Sequence, residues 1–162
     1  MVNFENKKKR VLVVDDEENI REILTEYLND IGYRVTCAVN GQEALQIYSG
    51  GHFDIILSDL VMRPMDGMEL LNEIRKVDPD VIFIMITGHP SVESAMEAIK
   101  KGARDYITKP FNIDEIRIKI ERALLERSLR GRLKNIKGAV WALLISIPVW
   151  LVLGIILAKA LK

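Results

Sequence analysis

The chain has 162 residues, 49% hydrophobic and 28% charged, with a net charge of zero, which fits one ordinary domain plus an appendage. The charge is unevenly spread: residues 1–111 hold 13 Lys/Arg against 19 Asp/Glu, a net of −6, and residues 112–162 hold 10 against 4, a net of +6. An acidic domain argues against nucleic-acid binding by the domain itself, a single cysteine (Cys37) excludes a disulfide within the chain, and Met1 to Arg10 lacks the apolar run of a secretory signal.

Val11-Leu12-Val13-Val14 is an apolar, β-branched run without alternation, which predicts a strand buried on both faces. Glu18 to Asp30 then places Ile20, Ile23, Leu24, Tyr27 and Leu28 at helical spacing, with Gly32 as the stop. Tyr33 to Val39 predicts a second strand, and Gly41 to Tyr48 a short helix with Ala44, Leu45 and Tyr48 on one side. Phe53 to Leu57 predicts a third strand that ends at Ser58-Asp59. The loop Met62 to Gly67 leads into a helix carrying Leu70, Leu71, Ile74 and Val77, which Pro79 ends. Val81 to Ile86 is the most apolar strand, closed by Thr87-Gly88. Ser91 can cap the next helix, but Ser94 at its third position leaves a full capping box absent. That helix runs to about Lys101, before Gly102. Asp105 to Thr108 predicts a fifth strand, and Asn112, with Glu115 at the third position, caps a last long helix.

Short buried strands alternating with amphipathic helices predict an α/β fold, a doubly wound five-stranded parallel sheet. Ligands of such sheets sit at the carboxyl ends of the strands. Asp15, Asp16, Asp59, Thr87 and Lys109 all fall there. Carboxylates brought together repel, so a positive charge is needed among them. A hard cation such as Mg²⁺, which uses one or two carboxylates plus waters and phosphate oxygens, suits the set, and Lys109 offers a second positive charge.

Asp15-Asp16, Asp59, Thr87-Gly88 and Lys109-Pro110, in this order and spacing, resemble the receiver domain of bacterial two-component response regulators. The resemblance covers roughly residues 8–125. Ile86 to His89 and Gly102 to Phe111 resemble receivers of the nitrogen-regulator type. The resemblance implies a flavodoxin-like (βα)5 fold. It implies that Asp59 accepts a phosphoryl group from the phosphohistidine of a sensor histidine kinase or phosphotransfer protein. It further implies Mg²⁺ held by Asp16 and Asp59, by Asp15 largely through water, and by the main-chain carbonyl of Val61. Lys109 would pair with the phosphoryl group across a cis Lys109–Pro110 bond. Thr87 would then donate its hydroxyl to a phosphoryl oxygen and Tyr106 would rotate behind it, altering the fourth helix, fifth strand and fifth helix. Tyr106 reads equally well as a plain core aromatic.

Arg63 departs from the family pattern, which has Pro directly after Met62; here Pro64 follows one later, with the spacing to Asp66-Gly67 unchanged. Val61 and His89, two residues after Asp59 and Thr87, occupy positions that in the family tune the lifetime of the phosphoryl group. Apolar Val61 positions water poorly, which predicts slow self-dephosphorylation. A small Mg²⁺-dependent phosphatase on a similar fold needs a second acid where Val61 stands, so no enzyme is expected. The complete site set argues against a phosphorylation-dead anchor. His52 and His89 read as solvated, and Cys37 as a strand residue without redox role.

The tail has its own pattern. Residues 138–158 carry no charge, and 12 of the 21 are Leu, Ile or Val. As a helix the segment spans about 31 Å, the thickness of a bilayer core. Its aliphatic residues favour insertion by on the order of 4–7 kcal/mol before the Gly, Ser and Pro penalties. Arg122, Arg127, Arg130, Arg132, Lys134 and Lys137 precede it and only Lys159 and Lys162 follow, which predicts a single-pass cell-membrane protein with the receiver on the cytoplasmic side. The expected organisation is a receiver over 1–122, a helical basic linker over 123–137, a span over 138–158 and a tail over 159–162. The linker stripe of Leu125, Leu129, Leu133 and Ile136 admits a short dimeric coiled coil or an amphipathic stretch on the membrane, and a homodimer through linker and span is compatible with both. With about fifty residues after the fifth strand, no DNA-binding or enzymatic output domain is expected, and output falls to protein contact at the membrane.

Overall fold

A computed structural model describes residues 8–133 and Ser146. The chain divides into two compact units, Met1–Ala123 and Leu124–Lys162. The first contains β1 (Arg10–Val14), α1 (Glu18–Asp30), β2 (Arg34–Ala38), α2 (Gly41–Ser49), β3 (Ile55–Asp59), α3 (Gly67–Val77), β4 (Ile82–Thr87), α4 (Val92–Lys100) and β5 (Asp105–Thr108). A fifth helix, α5, occupies 113–123 of this unit. In the second unit, residues 124–133 are helical.

The five strands are parallel in the order β2-β1-β3-β4-β5, the flavodoxin-like arrangement. β1, β3 and β4 are central and almost wholly buried, which is why their sequences run apolar without alternation. Strand residues alternate between the two faces. Leu12, Val14, Ile56, Phe83 and Met85 pack with Ala44 and Tyr48 of α2, Leu70, Leu71 and Ile74 of α3 and Ala98 of α4. Leu24 and Leu28 of α1 and Ile116 and Ile120 of α5 are buried outside that cluster, on the side where alternation sends Val11, Val13, Ile55, Leu57 and Ile84. The sheet is therefore covered on both faces.

Three details differ from expectation. β3 and β4 each extend to the polar residue expected to follow them, so Asp59 and Thr87 are the last residues of their strands. The helix start at Ser91 does carry a reciprocal cap: Ser91 Oγ accepts from Ser94 N–H, and Ser94 Oγ accepts from Ser91 N–H. A serine hydroxyl at the third position is short, yet here it reaches back as Glu or Gln does in the usual box. A full box that the sequence pattern did not bring out opens α3, where Asp66 caps and Glu69 reciprocates. Among the described residues no helix is long and apolar enough to cross a membrane. The expected span over 138–158 lies outside the described residues except for Ser146, which is helical.

Candidate functional site

Register alone brings the polar strand ends together. Val14 pairs with Ser58, Asp59 with Ile86, and Thr87 with Thr108, so Asp15, Asp59, Thr87 and Lys109 emerge along one edge of the sheet. The Lys109–Pro110 peptide is cis, as the family resemblance implied, and so is Arg63–Pro64 in the loop that departs from the family pattern. Lys109 N–H donates to the Thr87 carbonyl at 2.7 Å, which ties β5's end to β4's.

The Lys109 ammonium is the hub. It lies 2.8 Å from Asp15 Oδ2, 2.8 Å from Glu17 Oε1 and 3.2 Å from Asp59 Oδ1. Asp15 is 1% exposed and Asp59 5%. Two carboxylates this deeply placed need the compensation that Lys109 supplies. Burial pushes the Asp59 carboxyl above the ordinary carboxylate range; Lys109 and the Val61 N–H pull it down, and neighbouring Asp15 adds to the rise. Burial works against the Lys109 charge, but its hydrogen bonds to Asp15 and Glu17 outweigh it and hold the ammonium above the ordinary lysine range.

The other site residues are placed by local structure. Asp59 Oδ2 accepts from Val61 N–H at 2.8 Å, which orients the carboxylate. Asp15 Oδ1 accepts from Glu17 N–H at 3.0 Å. Asp16 is exposed beside them. Thr87 is fully buried and its Oγ1 accepts from His89 N–H at 3.1 Å. Tyr106 is half-buried against the α2–α4 side of the core, its hydroxyl 2.9 Å from Ser94 Oγ. Val61 is 55% exposed and presents no acid beside Asp59.

Two participants are not apparent from sequence. Glu17 shares Lys109 with the two aspartates; the only signal is a third acid following Asp15-Asp16. Arg21, one turn into α1, donates from Nη1 to the Asp15 carbonyl at 2.8 Å and so holds the β1–α1 loop against the helix.

Among the described residues no three acidic, His or Cys side chains gather closely enough to make a metal cage alone. The donor set nonetheless fits Mg²⁺, which takes few protein ligands and completes its shell with water and phosphate oxygens. Asp15 and Asp59 both contact Lys109, Asp16 follows Asp15 in the chain, and the Val61 main chain lies two residues after Asp59.

The family model for the response regulator receiver domain matches residues 11–121. The chain belongs to that family. It is a two-component receiver domain that accepts a phosphoryl group, and domains of this family are phosphorylated by histidine kinases and bind Mg²⁺ at the phosphorylation site. Among its relatives, the regulatory protein AtoC of Escherichia coli K12 is 37% identical over 131 residues, which is 81% of this chain but 28% of AtoC. The transcriptional regulatory protein ZraR of Klebsiella oxytoca is 40% identical over 119 residues, 74% of this chain and 27% of ZraR. This receiver thus spans under a third of either regulator's length. The structure of response regulator TrrA from Thermotoga maritima in complex with Mg²⁺ and BeF is 39% identical, with a TM-score of 0.65, covering 71% of this chain and 98% of TrrA.

Proposed function

We propose that Asp59 is the phosphoacceptor, and that the receiver signals by protein contact at a membrane rather than by catalysis of its own. The observation that carries this reading is Lys109 joining buried Asp59 to buried Asp15 at the sheet edge. An Asp59 carboxylate oxygen attacks the phosphorus of a kinase phosphohistidine. The P–N bond breaks, an acyl phosphate forms, and the imidazole leaves. Transfer of this kind depends on positioning and on neutralising the equatorial oxygens. Val61 N–H fixes the Asp59 carboxylate, and Lys109 supplies a cation on one side. Asp15, Asp16, Asp59 and the Val61 carbonyl would hold Mg²⁺, which when bound neutralises phosphoryl charge on the other side.

The new phosphoryl group carries negative charge to Lys109 and to Thr87. Thr87 Oγ1, held at rest by His89 N–H, turns to donate to it, and Tyr106 exchanges its Ser94 partner for the space behind Thr87. This is a population shift driven by one modification. Apolar Val61 leaves water poorly placed for hydrolysis, which supports a long-lived phosphorylated state.

The membrane part of the reading rests on the uncharged run 138–158 and the basic excess before it, with the receiver over 1–122 on the cytoplasmic side and the linker over 123–137. The receiver's own surface offers no basic excess for nucleic acid, its net being −6 over 1–111, although ZraR is by name a transcriptional regulator. The test is titration of the full chain with beryllofluoride and Mg²⁺, followed by intrinsic fluorescence or methyl chemical shifts. Saturable, Mg²⁺-dependent binding that disappears in Asp59→Asn is expected. No binding by a folded chain would overturn the phosphoswitch and leave a receiver fold serving as a scaffold.

A further inference from the structure

The helix over 124–133 carries an apolar face that no described residue of its own unit covers: Leu125, Leu129 and Leu133 are 60%, 48% and 58% exposed. They stand four residues apart and so share one face. Arg130 and Arg132 fall on its two flanks, and Arg127 lies on the polar side. Glu126 is the single acid of the segment.

We propose that this face is a docking surface for an anionic lipid bilayer, on which the helix lies in the plane of the headgroups. The chemistry matches: leucines enter the acyl boundary while flanking arginines extend to lipid phosphates and carboxylates. The main rival occupant is a second copy of this chain, and two observations disfavour it. A left-handed coiled-coil seam alternates steps of three and four, whereas Leu125, Leu129, Leu133 and Ile136 step by four, four and three, a stripe that drifts off such a seam. Two copies would also set arginine-rich flanks against each other with Glu126 as the single acid of each segment to answer Arg127, Arg130 and Arg132. The surface acts independently of phosphoryl chemistry, and it stands whether or not 138–158 spans.

The test uses the full chain in a Cys37→Ser background, with an environment-sensitive fluorophore on Leu129→Cys or on Gly131→Cys. Residue 131 lies on the opposite side of the helix, and a Cβ there meets nothing within 4 Å. Each labelled protein is mixed with phosphatidylcholine vesicles, with and without phosphatidylserine, and Mg²⁺-dependent beryllofluoride binding serves as the check on folding. The expected result is a blue shift at 129 with phosphatidylserine that high salt reverses, no shift at 131, and loss of the 129 shift in Arg130→Gln/Arg132→Gln. An equal shift in neutral vesicles, or none, overturns the proposal. A shift that tracks protein density on the vesicle rather than lipid charge assigns the face to a second copy and also overturns it. Flotation with neutral vesicles reads the 138–158 segment separately, so failure of the anchor and failure of this surface remain distinct.

Discussion

Glu17 reaches Lys109 at 2.8 Å, closer than the 3.2 Å between Lys109 and the Asp59 oxygen it must help neutralise. Glu17 is 62% exposed at its side chain, so the pair is a screened one, of the kind worth roughly 0.2–1 kcal/mol. Its consequence is competition: a phosphoryl group on Asp59 must draw Lys109 away from Glu17 and tolerate a nearby carboxylate. Glu17→Gln is expected to tighten beryllofluoride binding at saturating Mg²⁺ by up to about five-fold, the most that this energy allows. The gain shrinks in high salt. Isothermal titration at two ionic strengths checks it, and unchanged affinity at low salt makes Glu17 a bystander.

Asp59 itself opposes the fold. Its carboxyl is held above the ordinary range chiefly by burial, so the native state binds this proton more tightly than the unfolded chain does. Its contribution to stability is therefore favourable at low pH and is lost as pH rises through the native pKa. Asp59→Asn is expected to raise Tm by a few degrees at pH 7, and the gain should vanish as pH falls toward about 4, where the ordinary aspartate is half protonated. Calorimetry across that window decides; a lower Tm at pH 7 means that Lys109 attraction outweighs burial.

The alternation of apolar runs and amphipathic helices makes the layer architecture legible in the sequence alone, because burial on both sheet faces writes itself into composition. The placing of Asp15, Asp59, Thr87 and Lys109 on one edge follows from the rule for strand ends. Other features depend on distance in space that spacing does not encode. Glu17 and Lys109 are 92 residues apart, and only the parallel register brings them together. Arg75 has the sequence context of a polar helix residue, yet its Nη1 bonds the Pro79 and Val81 carbonyls and its Nη2 the Gly102 carbonyl, stapling two loops at the far edge of the sheet. Ser94 completes its cap although its side chain is shorter than the usual Glu or Gln, because the local backbone brings Ser91 N–H to it.

Lys109 is the counter-charge for two buried acids. Removing it in Lys109→Ala leaves Asp15 and Asp59 side by side without compensation, a change that costs on the order of 3–5 kcal/mol when a buried pair is broken. The Asp59 carboxyl, already raised, then rises further, so the variant's stability falls as pH climbs through its native pKa and recovers on acidification. Added Mg²⁺ should recover part of the loss at neutral pH, more than it adds to the wild type. Urea unfolding at pH 5 and pH 7.5, with Mg²⁺ and with chelator, separates these effects. A variant equally stable at both pH values shows that Asp15 and Asp59 do not depend on Lys109.

Gly67 opens α3 directly beneath the phosphoacceptor. Its N–H donates to the Leu60 carbonyl at 3.0 Å, and a Cβ added there overlaps the Asp59 carbonyl oxygen and comes within 3.0 Å of Met85 Sδ. The obstacle is main chain, which cannot swing aside as a side-chain end does. Gly67→Ala is therefore expected to cost about 1–3 kcal/mol or more, as overpacking does, and to displace Asp59 so that beryllofluoride affinity drops with stability. Gly131→Ala is the control: with open space around its Cβ and a helical backbone, it should gain up to about 1 kcal/mol of helix stability. Urea denaturation and beryllofluoride titration of both variants give the answer. Gly67→Ala with wild-type stability and affinity would mean that the β3–α3 loop yields freely, and that the position of Asp59 is set by the Val61 N–H and Lys109 alone.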